Sequence, residues 1–144
     1  MRFAQRLLQI RGSPKAIAIG VASGVLFGFT PLFGLKTLLA IGFTWVLRGN
    51  KLAAAIAVTL HDLLLPILPM LLRIEYDMGY WILSSPHELP PHLHMHHLNA
   101  GAWLHWSTFL TAGRPILMGS LILGAPIALV AYFFVLGILM RRFR

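Results

Sequence analysis

The chain has 144 residues, of which 58% are hydrophobic and only 11% charged. Soluble domains run about 45–50% apolar and about 25% charged, so this composition excludes a disordered chain and argues against a water-soluble domain. The formal charge is +8, from 12 Lys+Arg against 4 Asp+Glu. The basic residues flank apolar runs instead of clustering on one polar face. That pattern follows the positive-inside rule and excludes a nucleic-acid partner. There is no cysteine, hence no disulfide, thiolate metal site or cysteine nucleophile.

Residues 1–11 read as a short amphipathic helix lying on a membrane surface, or as a basic tail that only sets topology. A cleaved signal peptide is considered and set aside. The apolar stretch before Val21-Ala22-Ser23 is about six residues, short of an h-region, and apolar sequence continues beyond it. Ser13-Pro14 has the form of a helix N-cap followed by proline at the first helical position.

The next apolar segment, 16–47, is broken by Gly28-Phe29-Thr30-Pro31-Leu32-Phe33-Gly34 and by Lys36. Proline removes a helical hydrogen bond and glycine permits a sharp turn. Each arm has about 12–13 residues and would rise about 19 Å as helix, against a hydrocarbon core of about 30 Å. Both outer ends, Lys15 and Arg48/Lys51, are basic. A re-entrant helical hairpin that enters and leaves on the cytoplasmic side fits these facts. Two strongly tilted spans are the competing reading. A turn at that depth needs shelter from protein or a water-filled cavity, which a homo-oligomer or an envelope-protein partner would supply.

Residues 52–83 form either one kinked span or a second hairpin broken at His61-Asp62, with Pro66 and Pro69 following. Arg73, Glu75 and Asp77 then meet Tyr76, Tyr80 and Trp81, an interfacial aromatic group. Residues 84–106 read as a His-rich outer loop. Residues 107–140 hold the final transmembrane helix, whose uncharged run Pro115–Met140 would rise about 39 Å. Nine of the 12 basic residues (Arg2, Arg6, Arg11, Lys15, Arg48, Lys51, Arg141, Arg142 and Arg144) fall on the proposed inner side. Both termini are therefore expected in the cytoplasm.

Four constellations carry chemistry. Gly20-x-x-x-Gly24-x-x-x-Gly28 and Ser120-x-x-x-Gly124-x-x-x-Ala128 are small-xxx-small stripes. They would pack against each other, elsewhere within the chain, or against a second copy. Lys36, with Thr30, Pro31 and Gly34, forms a candidate ligand site, because a charge and loose helix ends at membrane depth suit an anion such as phosphate. The alternative is a lysine that snorkels to the interface or pairs with Asp62. His61-Asp62 could relay protons, bind a cation, or form a salt bridge to Lys36. His92, His94, His96 and His97 could hold a divalent metal, or form a polar loop that titrates near neutrality. No catalytic triad is present, the acidic residues have no informative spacing, and no cofactor is implied.

The run Ser13-Pro14 … Gly20 … Gly24 … Gly28-Phe29-Thr30-Pro31-Leu32-Phe33-Gly34-Leu35-Lys36-Thr37, followed by Leu47-Arg48-Gly49-Asn50-Lys51, resembles the bacterial membrane family called domain of unknown function 2062. The resemblance covers roughly residues 12–72 and the general pattern of the tail. Lys36 stands where the family commonly carries glutamine, and His61-Asp62-Leu63 replaces an Asn-Pro start. Some members look fused to a glycosyltransferase, which points toward envelope polysaccharide or lipid. The expectation is an all-α integral membrane protein of the bacterial inner membrane, multi-pass, with one re-entrant hairpin and two or more transmembrane helices. It would bind or transport an envelope lipid or polyprenyl-phosphate-like anion. A scaffold subunit of an envelope complex and a divalent-metal binder are the alternatives, and an enzyme is the least supported class.

Overall fold

The structure, a computed structural model, describes residues 12–30, 35–63, 65–84 and 105–142. The described residues are helical, with no strand among them. The chain forms α1 (Pro14–Gly28), α2 (Leu35–Val46) and α3 (Lys51–Asp62). A 3₁₀ turn over Leu65–Ile67 leads into α4 (Leu68–Leu83). A helical turn at Trp106–Thr108 and a π-helical turn at Phe109–Gly113 lead into α5 (Arg114–Arg142). Residues 1–11 and most of the 84–106 loop lie outside the described residues.

Local chemistry sets the boundaries. The Ser13 side chain accepts from the Ala16 N–H at 3.2 Å, and Pro14 needs no donor at the first helical position. Asn50 caps α3 in the same way, accepting from the Ala53 N–H at 3.0 Å. α2 ends on Arg48 in the left-handed region, φ 55°, and the Gly49 N–H reaches back to the Thr44 carbonyl at 2.8 Å. α3 gives way to α4 through the 3₁₀ turn. The Pro66 ring would meet the Asp62 carbonyl, and Pro69 then opens the new helix. The segment 52–83 is therefore two helices with a break just after His61-Asp62. Pro126 lies inside α5, and the helix continues through it.

α1 is central. The Asn50 N–H donates to the Ala16 carbonyl at 2.7 Å, so the end of α2 returns to the start of α1. The rings of Phe27 and Phe43 meet edge-on at 5.5 Å, which makes α1 and α2 an antiparallel hairpin. α3 then runs parallel to α1. Gly20 lies against Asn50 and Ala53, Gly24 against Ala54 and Ala57, and Gly28 against His61. Gly124 of α5 meets α1 on another side, at Leu26 and Phe29. The first turns of α5 pair with α4, where Gly79 approaches the Pro115 carbonyl and Gly119 approaches the Glu75 carbonyl. α5 thus joins two helix clusters.

The core consists of small residues. Ala18, Ala40, Ala54, Val58 and Ile116 are fully covered, alongside glycines and hydroxyls. The buried hydroxyls bond within their own helices: Ser23 to the Ile19 carbonyl, Thr44 to the Ala40 carbonyl and Ser120 to the Leu117 carbonyl. Large apolar side chains face outward, and Trp45 and Phe134 are each 67% exposed. Trp106–Arg142 is the one segment among the described residues long and apolar enough to cross a membrane; α1 and α2 are apolar but shorter.

The glycine contacts predict an asymmetry between two substitutions. A Cβ on Gly24 would lie 2.5 Å from both the Ala54 oxygen and the Ala57 Cβ. Gly24→Ala should cost about 1–3 kcal/mol of stability by overpacking. Gly42, in mid-α2, has open space around it. Gly42→Ala should stabilise by up to about 1 kcal/mol through helix propensity. Thermal unfolding in one detergent, followed by circular dichroism, compares the two.

Candidate functional site

The sequence-proposed polar residues meet where α1 ends, α2 begins and α3 ends. Lys36 is the second residue of α2 and is only 4% exposed. Asp62 is the last residue of α3, and its carboxylate accepts from the Lys36 ammonium in an ion pair. The Asp62 side chain is 41% exposed, so the pair opens to the surroundings on the carboxylate side. His61 is buried beside it. Its ring lies 4.7 Å from the Phe29 ring, centroid to centroid, and flat against Gly28. A Cβ on Gly28 would sit 2.7 Å from the His61 ring carbon, so only glycine there admits the imidazole. Neither His61 nitrogen has a hydrogen-bond partner among the described residues.

Thr30 ends the described part of the α1–α2 connection, and its N–H donates to the Phe27 carbonyl at 3.1 Å. Pro31 and Gly34 lie outside the described residues, as do His92, His94, His96 and His97. Among the described residues no group of three metal-ligating side chains converges.

The two small-residue stripes have separate partners. Gly20, Gly24 and Gly28 are covered by α3, and the Gly124 stripe lies on the Leu26–Phe29 side of α1. The stripes do not face each other, because α1 presents its glycines to α3 and its bulkier side to α5.

The cluster sits at a defined height along the bundle. Gly124, level with Leu26 and Phe29, is about 15 Å along α5 from Arg114 and about 25 Å from Arg141. The junction of Lys36, His61 and Asp62 therefore lies beside the middle of the apolar run of α5. Lys15, Arg48 and Lys51 gather at the other end of the hairpin, toward which α5 carries Arg141 and Arg142. Chemically, the junction offers an ammonium already neutralised by a carboxylate, next to an imidazole with two unused nitrogens. An incoming anion would have to compete with Asp62, and an incoming cation with Lys36.

Glu75 was grouped by sequence with the charged residues at the outer edge. The structure buries it completely at the α4–α5 crossing. The signal was present in the pairs Glu75-x-x-x-Gly79 and Pro115-x-x-x-Gly119, whose glycines mark a close crossing that covers the residue between them.

Among the described residues, fold and site together define an all-helical protein with a small-residue interior, an apolar exterior and a partly buried Lys36–Asp62 ion pair where α1, α2 and α3 meet. The chain belongs to the bacterial family described as "Uncharacterized protein conserved in bacteria (DUF2062)", whose model matches residues 2–144. No curated protein and no solved structure matches the chain.

The ion pair makes a directional prediction. Asp62→Asn leaves a buried ammonium without its counter-charge and should cost about 3 kcal/mol. Lys36→Met leaves a carboxylate that water can reach and should cost less. The double variant should be more stable than Asp62→Asn alone. Chemical denaturation in mixed micelles, read as a double-mutant cycle, measures all three.

Proposed function

We propose that this protein is a multi-pass component of the bacterial inner membrane, with both termini in the cytoplasm, that binds or transports an envelope lipid with a phosphate-type headgroup. In this reading the α1–α2 hairpin re-enters from the cytoplasmic side and turns within the bilayer. The observation that carries it is the polar junction of Lys36, Asp62 and His61 beside the middle of an apolar helix long enough to cross. An ionisable cluster at that depth is costly and is retained where it serves a ligand or an ion.

Three features support the reading. The outward-facing surfaces of α2 and α5 are lined by Leu38, Trp45, Phe133 and Phe134, which suit lipid contact. Lys15, Arg48, Lys51, Arg141 and Arg142 lie toward one end, as the positive-inside rule requires of a cytoplasmic face. An apolar groove of about 430 Å³ between α1, α2 and α5, lined by Ile19, Leu26, Phe43, Leu47 and Leu129, has room for a hydrocarbon chain.

In this mechanism Asp62 holds Lys36 in its buried position without ligand. An anionic headgroup displaces the carboxylate, which is exposed enough to swing away, and takes over the ammonium. His61 supplies a nearby donor. The scaffold reading calls for an association surface. The Gly20/Gly24/Gly28 face is taken by α3, so a partner would have to use the outer faces of α2 or α5.

Native mass spectrometry of untagged protein, released gently from membranes, tests the proposal. The wild type should retain a stoichiometric anionic lipid, and Lys36→Ala should lose it while keeping its helical circular-dichroism signal. Equal lipid retention by the variant would remove Lys36 from the site.

A further inference from the structure

Glu75 belongs to no part of the proposed lipid site. It lies in α4, and the Lys36 junction lies among α1, α2 and α3. Its solvent exposure is 0%, and neither carboxyl oxygen has a hydrogen-bond partner among the described residues. Native proteins rarely leave a buried carboxyl in this condition, and each case needs a physical explanation.

The surroundings restrict what that ligand can be. On α4, the charged neighbours are Arg73 and Asp77, which form an exposed pair with each other at 4.0 Å. They stand two residues to either side of Glu75, on the opposite face of the helix. α5, the helix packed against Glu75, carries no charged residue between Arg114 and Arg141, and Arg114 itself is exposed. The titratable groups nearby are the hydroxyls of Tyr76, which is buried, and Tyr80, whose ring lies 5.8 Å from that of Tyr76. Among the described residues no cationic side chain pairs with the carboxyl. Close contact at Gly79 and Gly119 holds the two helices backbone to backbone, so a proton or a reagent reaches the carboxyl only as the crossing opens.

We propose that Glu75 is a proton-binding site built into the α4–α5 crossing. A proton needs one lone pair and no added volume. A dehydrated metal cation needs several ligands, and among the described residues no group of three acidic or histidine side chains converges here. Loading and unloading that proton changes the charge of an otherwise apolar crossing, and so couples the packing of α4 on α5 to the proton supply. The site is Glu75, the ligand is a proton, and the helices it acts on are those that frame the outer half of α5.

A hydrophobic carbodiimide tests this on the full chain in liposomes. The reagent needs both the acid proton and a lipid-accessible path. The carboxyl proton passes to one reagent nitrogen, and a carboxylate oxygen bonds to the central carbon. The acyl group then migrates to nitrogen as a stable N-acylurea. Nothing leaves, so the chain gains the mass of one whole reagent. Dicyclohexylcarbodiimide should give a single adduct, mapped to Glu75 by peptide mass spectrometry, faster as pH falls and unaffected by sodium. A water-soluble carbodiimide should spare Glu75 and label Asp77. Glu75→Gln should keep the helical signal and lose the adduct; the wild-type mapping stands by itself should that variant misfold. No adduct at Glu75, or equal labelling by both reagents, would overturn the proposal. Protection by sodium chloride against choline chloride would also overturn it, by making the site one for a metal cation.

Discussion

Everything in this fold depends on helix backbones meeting at van der Waals distance. α1 can lie along α3 only because Gly20, Gly24 and Gly28 present no side chain to Asn50, Ala53, Ala57 and His61. α4 can cross α5 only because Gly79 and Gly119 face the backbone of Pro115 and Glu75. Such contacts draw on dispersion between close surfaces and do not need water to drive them. That allows the large side chains to point outward. A soluble protein would hold its leucines and phenylalanines inside, and this one holds alanine, glycine, serine and threonine there.

The same close approach delivers the polar groups. The parallel register of α1 and α3 steps from Gly20 to Gly24 to Gly28, and the last step sets the His61 ring on a glycine. One residue later α3 ends at Asp62, opposite the second residue of α2, and the Lys36–Asp62 pair closes the junction. In a low-dielectric setting either charge alone would be expensive, whereas the pair is tolerable. The ion pair therefore fastens the start of α2 to the end of α3 while leaving the carboxylate partly open. A fastening that an anion can compete for is a reasonable start for a binding site. A fully enclosed pair would not be.

Much of this was legible in the residues. The Gly28–Lys36 interruption, the caps at Ser13-Pro14 and the pairing option for Lys36 and Asp62 all follow from local chemistry. Pro66 and Pro69 mark an interruption of the segment 52–83, and α3 and α4 part there through a 3₁₀ turn. Partner choice was not legible. A glycine stripe announces a close neighbour but not which one, and here the stripe of α1 meets α3, where packing on α5 or on a second copy was also open. The burial of Glu75 was hidden for a related reason. Arg73 and Asp77 gave its segment a charged appearance, and only the crossing at Gly79 and Gly119 separates the covered acid from its exposed neighbours.

In the proposed re-entrant arrangement the α1–α2 turn stays within the bilayer. The sequence contains no cysteine, so single replacements report cleanly. Cysteines at Gly12, Thr30 and Arg48, probed with a membrane-impermeant maleimide on intact spheroplasts and on inverted vesicles, measure it directly. Re-entry gives labelling of positions 12 and 48 from the cytoplasmic face alone, and protection of position 30 from both faces. Labelling of position 30 from the outside would make the hairpin two full spans and contradict it.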